Sequence, residues 1–560
     1  MTSYRKIGQH LLDTGVITDA QLKEALEIQE KKDIFLGTIF LEKGWLTEEQ
    51  LLKVLADQFK MPFVFLKKAT IDPKIKDILP LKLALHYKIM PVKLADSKLT
   101  VAVSAPQDIR LLDNLSLALR QKYQLEPVLA TEEDIAKAIE RFYGLGAETV
   151  NQILKDKKAT PAGASGTPDQ GAVEDIQRQE DASIIKLVNQ ILIEAHQRRA
   201  TDIHFEPYRG KMRLRYRVDG VLQNVDIPES MRQLFSPIIS RIKVLSGLNL
   251  VERRTPQDGR ASVVVGDQKL DLRISTLPSS SGEGVVIRIL PSGMLFDLAD
   301  LGFNGRNLEI VEKMILKPYG LIFVTGPTGS GKSTTLYACL KRINTDDKKI
   351  ITVEDPVEYE LPGVLQVPIN ANVGLSFSQG LRSMLRHDPD VMMVGEVRDL
   401  ETAELAIRIA LTGHLVFSTL HTNDAASGFM RLMDMGIPPY LLGSSVSCFI
   451  AQRLLRKICE QCKREVPAEW TETDKVFRGQ GCDQCHGTGY NGRRAIYEVL
   501  PVTAEIKKLI LKSAPAHEIR SVAVKQGMST LHAEAVEKVR QGLTTPEEVI
   551  RITESEEAGV

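Results

Sequence analysis

The sequence has no surplus charge of either sign: across 560 residues, Lys plus Arg and Asp plus Glu each number 72. A balanced chain offers no global field for wrapping nucleic acid, and no basic stripe interleaved with aromatics appears, which argues against a nucleic-acid motor. No apolar stretch approaches the roughly 18 residues needed to span a bilayer. The opening Met1-Thr-Ser-Tyr-Arg-Lys6 leads into an amphipathic pattern, not the apolar core of a signal peptide. Six cysteines in a chain of this length do not make a disulfide scaffold. These absences predict a cytoplasmic protein whose membrane contact comes through partners. The length predicts about three or four domains.

What is present begins at residues 326–333, Gly-Pro-Thr-Gly-Ser-Gly-Lys-Ser, directly after the apolar run Leu321-Ile-Phe-Val-Thr325. A strand entering and a helix leaving, here predicted from Thr334 to Arg342, is the setting a phosphate-binding loop requires. Gly326, Gly329 and Gly331 let backbone N–H groups close around phosphates. Pro327, Thr328, Ser330 and Thr334 complete the cradle, and the helix N-terminus adds a positive dipole end. Lys332 is expected to reach the β- and γ-phosphates, and the Ser333 hydroxyl to ligate Mg²⁺. This predicts an ATP-binding chain.

Three more buried strands follow, each ending in polar residues. Ile350-Ile-Thr-Val353 delivers Glu354-Asp355-Pro356-Val357-Glu358, and Val391-Met-Met-Val394 delivers Gly395-Glu396-Val-Arg-Asp. A carboxylate at such a strand end can hold Mg²⁺ through water or orient the attacking water, so Glu354 and Glu396 are both candidates. Leu411-Thr-Gly-His414-Leu-Val-Phe-Ser-Thr-Leu-His421-Thr-Asn-Asp carries a histidine at either end of a strand. Both are expected to sense the γ-phosphate. Parallel buried strands with polar C-terminal ends predict a P-loop α/β sheet.

The N-terminal region opens on a repeat. The pattern Gly8-x-x-Leu11-Leu12-x-x-Gly15, continuing through Leu22 and Leu26 to Gln29, recurs from Gly37 through Gly44 to Gln58, every matched pair 29 residues apart. The spacing is helical, with Thr18 and Thr47 where N-caps belong. The shared Gly and Gln positions are read as something other than core residues, since glycine permits close approach and glutamine can hydrogen-bond a base or phosphate. Short β runs (Lys98–Val103) then alternate with predicted helices (Ile109–Tyr123, Glu132–Tyr143). From Lys155 to about Gln179 the chain is rich in Ala, Gly, Pro and charge, which predicts a flexible tether.

The middle region reads Thr201-Asp202-Ile203-His204-Phe205-Glu206-Pro207, then Lys211-Met-Arg-Leu-Arg-Tyr-Arg-Val218 and the turn signal Asp219-Gly220. Alternation puts Lys211, Arg213, Arg215 and Arg217 on one strand face, either solvated or in contact with a neighbouring subunit. Leu270–Ser275 and Val285–Leu290 are two more predicted strands, bearing Arg273 and Arg288. Near the C-terminus, Cys459-x-x-Cys462 and Cys482-x-x-Cys485 stand nineteen residues apart, a tetrahedral Zn²⁺ pattern with no open position and therefore structural. Arg453, Arg456, Lys457, Lys463 and Arg464 flank it and are expected to stabilise thiolates. Cys339 and Cys448 are expected to be buried packing residues.

GPTGSGKS, ITVEDPVE, VGEVRD and GHLVFSTLHTND together resemble the Walker A, aspartate, Walker B and histidine boxes of the type II/type IV secretion ATPase superfamily. The repeat resembles the tandem cyclic di-GMP-binding motif of MshE-type N-terminal domains, with Lys6 and Phe35 where Arg is usual. The tetracysteine segment narrows the resemblance to pilus assembly and type II secretion ATPases, as against retraction motors, and with the MshE-type N-terminal domain added the chain most resembles type IV pilus assembly (extension) ATPases of the PilB type. The alternatives are a type II secretion ATPase and a nucleotide-gated regulatory scaffold.

The resemblance implies an α/β fold with a RecA-like ATPase core at residues 292–560, its zinc segment at 459–485, and a PAS-like α+β middle domain at 181–291. A linker over 151–180 would join these to an MshE-type helical module (1–60) and a small α/β module (61–150). It also implies a homo-hexamer in which Arg273 and Arg288 act on the neighbour's nucleotide. The ring would be recruited to the inner face of the cytoplasmic membrane, with an inner-membrane platform protein and pilus or secretion components as partners and no nucleic acid. Cyclic di-GMP would bind through Lys6, Gly8, Gly15, Gln29, Gly37, Gly44 and Gln58.

Overall fold

The computed structural model describes residues 7–557 except 14, 33–35, 67–68, 70, 72–74, 105–108, 121, 147–148, 151–169, 209–210, 266–267, 291–295, 371–372 and 468–474. The chain divides into two compact units. The first takes the chain up to Arg217 with Leu222–Gln268 and Leu272–Arg288; the second takes Val218–Val221, Lys269–Asp271 and the chain from Ile289 onward.

In the first unit the 29-residue repeat forms helices Ile7–Asp13, Asp19–Lys32, Leu36–Glu42 and Glu48–Phe59. Thr18 and Thr47 cap their helices as the spacing predicts. Their hydroxyls accept from the N–H of Gln21 and Gln50, whose side chains in turn accept the Thr18 and Thr47 N–H at 2.8 Å. Leu11, Ile17, Ala25, Phe40, Leu46 and Leu51 form the small core between them. Gly8 is buried in that packing, contrary to the expectation that the repeat's glycines stand apart from the core. Lys6 and Phe35 lie outside the described residues.

A three-stranded sheet follows: β1 (Met90–Ala95), β2 (Lys98–Val103) and β3 (Gln124–Leu129), with β1–β2 antiparallel and β2–β3 parallel. The helix predicted over 109–123 stops at Ala118, because Arg120 turns into the left-handed region at φ 56°. Helix Glu132–Tyr143 forms as predicted, capped by Thr131. The predicted tether is corrected at its C-terminal end, where helix Gln170–Gln197 begins. Its buried Ile184, Leu187, Val188, Ile191, Leu192 and Ala195 recur at helical spacing. The Glu, Gln, Arg and Ala residues before them are good helix formers that extend the helix backward. Residues 155–169 of the tether lie outside the described residues.

The second sheet of this unit has six strands: β4 (Ala200–Tyr208), β5 (Lys211–Val218), β6 (Val221–Val225), β7 (Gln257–Val265), β8 (Gln268–Ser279) and β9 (Gly282–Leu290), in the order β6-β5-β4-β9-β8-β7. The predicted turn between β5 and β6 has both Asp219 and Gly220 at positive φ, the conformation a tight two-residue hairpin needs.

The second unit is built on β10 (Gly320–Thr325), β11 (Ile350–Glu354), β12 (Val364–Pro368), β13 (Val391–Val394), β14 (Leu415–Leu420), β15 (Val446–Ile458) and β18 (Tyr490–Pro501), in the order β12-β11-β13-β14-β10-β15-β18. The first six strands are parallel, and β18 runs antiparallel to β15. Every residue of β10, β11, β13 and β14 is buried, because helices cover both faces of a parallel sheet. A small antiparallel pair, β16 (Lys463–Val466) and β17 (Val476–Gly479), stands beside the cysteines. No helix among the described residues is long and apolar enough to cross a membrane.

Candidate active site and metal centre

Because β11, β13, β14, β10 and β15 are parallel neighbours, their C-terminal ends lie along one edge of the sheet. The glycine-rich loop leaves β10 there, and its helix starts at Lys332, two residues earlier than predicted. The Lys332 ammonium donates to the Gly326 and Pro327 carbonyls at 2.8 and 3.1 Å. Burial pushes its pKa down to about 8; Arg453 adds to that and Glu396 opposes it. Ser333 is exposed at the first turn of this helix.

The two candidate carboxylates sit in different surroundings. Glu354, 4% exposed, accepts from the Tyr337 hydroxyl, from Thr352 Oγ1 at 2.6 Å and from Gln366 Nε2 at 3.1 Å. Glu396 follows β13, with its backbone fixed by a Thr419 hydroxyl bond to the Gly395 carbonyl at 2.7 Å. Its carboxylate pairs with exposed Arg398 at 2.5 Å, lies 3.5 Å from His421 Nε2, and feels the charge of Lys332. Glu354 has both oxygens committed to neighbouring donors, whereas Glu396 faces the loop lysine.

The histidines separate as well. β14 pairs with β10 from Gly320↔Leu415 to Thr325↔Leu420, so His421 emerges beside the phosphate loop. His414 is at the opposite end, where its carbonyl accepts the Gly320 N–H at 3.1 Å and its ring lies 3.2 Å from the Ile409 carbonyl. Six residues of strand, roughly 20 Å, divide it from the loop. The expectation that His414 senses the γ-phosphate is therefore corrected: strand direction puts only one of the two histidines at the site. Burial, then the charge of Lys332, hold the His421 imidazole below its ordinary pKa, against the pull of Glu396.

In the first unit, Arg273 is exposed on β8 and makes no ion pair among the described residues. Arg288 on β9 donates from Nε to Asp202 at 2.9 Å. The arginines of β5 do not form a bare cationic face: Glu206 accepts from Arg213 at 2.8 Å and from Arg215, and Arg217 lies 3.6 Å from Asp202.

The four cysteines come together. Cys459–Cys482, Cys462–Cys485 and Cys482–Cys485 sulfur separations are 3.7, 3.8 and 3.7 Å, and all four sulfurs lie within 4.8 Å of one another. A tetrahedron with metal–sulfur bonds of about 2.3 Å has edges of about 3.8 Å, so the donor set fits Zn²⁺. Burial would raise the Cys485 pKa, yet the Cys482 and Gly489 N–H groups outweigh it and bring the thiol to about 7. Three of the five flanking cations are engaged with other groups, which corrects the expectation for those three. Arg453 bonds Asn423, Arg456 pairs with buried Glu548 at 2.9 Å and stacks 4.0 Å from the Tyr490 ring, and Lys463 sits 4.9 Å over Phe477. Cys339 and Cys448 are buried packing residues as predicted, pushed up to about 12 by desolvation.

The sequence reading passed over Tyr337, Gln366 and Gln452, which hold Glu354 and the loop helix. Each is an interior polar residue, and its only sequence signal is a polar side chain inside an apolar run.

Comparisons with known proteins agree with this geometry. A family model described as type II/IV secretion system protein matches residues 177–551, and one described as MshEN domain matches residues 59–149, directly after the helical repeat. The chain is 39% identical over 560 residues to the type IV pilus assembly ATPase PilB of Myxococcus xanthus, covering 97% of this chain and 98% of that protein. It is 38% identical over 569 residues to the type II secretion system protein E of Xanthomonas campestris pv. campestris, covering 98% of each. The X-ray structure of the Yersinia pseudotuberculosis ATPase DotB shares the fold, with a TM-score of 0.51 and 22% identity over 65% of this chain and 92% of that chain.

Proposed function

The chain belongs to the type II/IV secretion system protein family and is an ATPase, and on that premise we propose that it powers type IV pilus assembly. The observation that carries this reading is the convergence of Lys332, Glu396 and His421 at the C-terminal edge of one parallel sheet, in a chain similar over nearly its whole length to a pilus assembly ATPase. Lys332 and the loop amides bind the triphosphate, Ser333 holds Mg²⁺, Glu396 orients the attacking water and His421 reads the γ-phosphate through Glu396. Glu354 positions the adjoining strand end. Arg273 and Arg288 stabilise the transition state on a neighbouring subunit of a homo-hexameric ring. Turnover rotates the middle domain against the ATPase core and drives an inner-membrane platform protein from the cytoplasmic side. Cys459, Cys462, Cys482 and Cys485 hold a structural Zn²⁺ that adds folding energy and takes no part in chemistry.

The experiment is complementation. In a strain lacking this chain, the wild-type gene should restore surface pili and the Lys332→Ala gene should not, with secreted enzyme levels unchanged throughout. Loss and recovery of secretion in place of pili would assign the motor to type II secretion, which the 38% identity over 98% of the chain also favours.

A second reading concerns the N-terminal repeat, whose duplicated motif suits a ligand with two guanines and two phosphates on a two-fold frame. Lys6, Gln29 and Gln58 are its polar contacts to cyclic di-GMP, beside the exposed turns at Gly15 and Gly44, while Gly8 and Gly37 let Leu22 and Leu51 pack behind them. Calorimetric titration of the full chain should give two-motif binding weaker than in Arg-bearing relatives, and no heat at high micromolar ligand would remove the assignment.

A further inference from the structure

Strand β15 does not stop where its neighbour β10 does. The parallel register reaches Val324↔Ile450 and Thr325↔Ala451, after which β10 turns into the glycine-rich loop while β15 runs on. Gln452 and Arg453 therefore lie directly beneath the loop, 2% and 6% exposed.

Two of the loop glycines are shaped against this strand. A Cβ on Gly326 would stand 2.6 Å from the Gln452 carbonyl oxygen and 3.2 Å from Arg453 Nη1; a Cβ on Gly331 would stand 2.8 Å from Gln452 Nε2. At both positions φ is also positive, 150° and 89°. From the other side, Thr335 in the first turn of the loop helix donates from Oγ1 to Gln452 Oε1 at 2.7 Å, and both groups are buried. Arg453 ties the same strand to the turn after β14, its Nη2 donating to the Asn423 carbonyl at 2.8 Å. The turn reaches back to β10, since the Thr422 N–H donates to Thr325 Oγ1 at 2.9 Å.

We infer that Gln452 is a positioning residue for the phosphate loop: its buried amide fixes the height and rotation of the helix that carries Lys332 and Ser333, and through Arg453 shares that frame with the His421 turn. It touches no phosphate. A loop that must close backbone N–H groups around phosphates gains affinity when its geometry is set before the ligand arrives. An interior amide bonded to the first helical turn supplies that, because a buried unpaired partner is costly and so enforces one arrangement.

The inference rests on reading residues 326–333 as the phosphate loop. The test uses the full-length protein, a fluorescent ATP analogue for affinity, steady-state phosphate release for KM and kcat, and thermal melting and zinc content as checks on folding. Gln452→Leu keeps the volume and removes both polar ends. It should weaken ATP binding and raise KM about three- to tenfold, the effect of one buried hydrogen bond, with a smaller change in kcat. Thr335→Val breaks the same bond from the loop side and should do the same. The double variant should be no worse than either single one, because both remove one interaction. Should Gln452→Leu fail to fold, Thr335→Val decides alone. Wild-type KM in a folded variant, a lowered melting temperature with unchanged ATP affinity, or multiplying effects in the double variant would each overturn the inference. Lys332→Ala run alongside separates the two levels: if it still binds ATP, the phosphate-loop reading fails first.

Discussion

Two carboxylates stand at neighbouring strand ends, and exchanging each for its amide should give opposite results. Glu354 accepts three hydrogen bonds, from buried Tyr337 and Thr352 and from half-buried Gln366. Glu354→Gln leaves a single acceptor oxygen and turns an NH₂ group toward at least one O–H donor. A buried donor deprived of its acceptor costs about 1–3 kcal/mol. For a domain of this size that is a melting-temperature fall of roughly 3–10 °C. Tyr337 is held protonated far above its ordinary pKa, first by burial and then by the Glu354 charge, so its hydroxyl stays a donor in need of an acceptor. Glu396 has no such cage, only exposed Arg398 and half-exposed His421. Glu396→Gln should melt within about 2 °C of wild type. A positioned base or water-orienting group contributes about 10²–10⁴ in rate, so its kcat should fall by that factor while ATP still binds. Phosphate release at saturating ATP and scanning calorimetry on the same preparations read both quantities. Near-normal kcat in Glu396→Gln with a collapse in a stably folded Glu354→Gln would refute the reasoning and exchange the roles.

Three further outcomes are expected. Lys332 is cationic in solution far above pH 8 but, in the folded site without ligand, loses its proton near 8. The lysine is therefore charged below that pH and neutral above it, and ATP affinity should hold to about pH 7.5, then fall by up to tenfold per pH unit; a flat profile from pH 7 to 9.5 would show a normal lysine. Arg288→Ala and Lys332→Ala should each be nearly inactive alone, yet mixing them should restore some hydrolysis because some interfaces carry both groups; no recovery in mixed hexamers verified by mass would count against an arginine acting between subunits. Elemental analysis should find one Zn²⁺ per chain, and Cys462→Ser should release it and lower the melting temperature more than it lowers kcat; full zinc in a chain lacking both Cys459 and Cys462 would show a different ligand set.

The four nucleotide boxes were legible because a parallel sheet covered on both faces writes itself as apolar runs, and the residue after each run falls at the same edge. That rule also explains the error at His414. His414 precedes its apolar run and His421 follows it, so the same rule sends His414 to the opposite edge, as the register of β14 on β10 shows. The tetracysteine spacing was legible for a local reason, since four thiols need only two short turns brought together. The flanking arginines were not, because their partners Asn423 and Glu548 are 30 and 92 residues away. Gln452 was hidden most completely. Within Ala451-Gln-Arg-Leu-Leu-Arg it reads as one alternating polar position, and only the overhang of β15 past β10 reveals what lies above it.

The N-terminal repeat teaches the same lesson in reverse, because its signal was strong and its cause was partly misread. A Cβ on Gly8 would stand 2.5 Å from Leu22 Cδ1, and one on Gly37 would stand 3.2 Å from Leu51 Cδ2, so the two equivalent glycines admit two equivalent leucines at helix crossings. Gly15 and Gly44 have nothing within 4 Å of such an atom but hold φ of 69° and 70°, ending their helices with N–H bonds back to Leu12 and Leu41. Gln21 and Gln50 close the caps. Geometry of the chain thus accounts for all four glycines without a ligand, and a glycine substitution would report on folding, not on recognition. Any specificity for cyclic di-GMP would have to come from side chains other than these glycines, with Lys6, Gln29 and Gln58 the candidates that the repeat offers. Restoring a bidentate cation with Lys6→Arg is then the informative change, since it adds a fork for phosphate or guanine while leaving every packing contact described for the repeat in place.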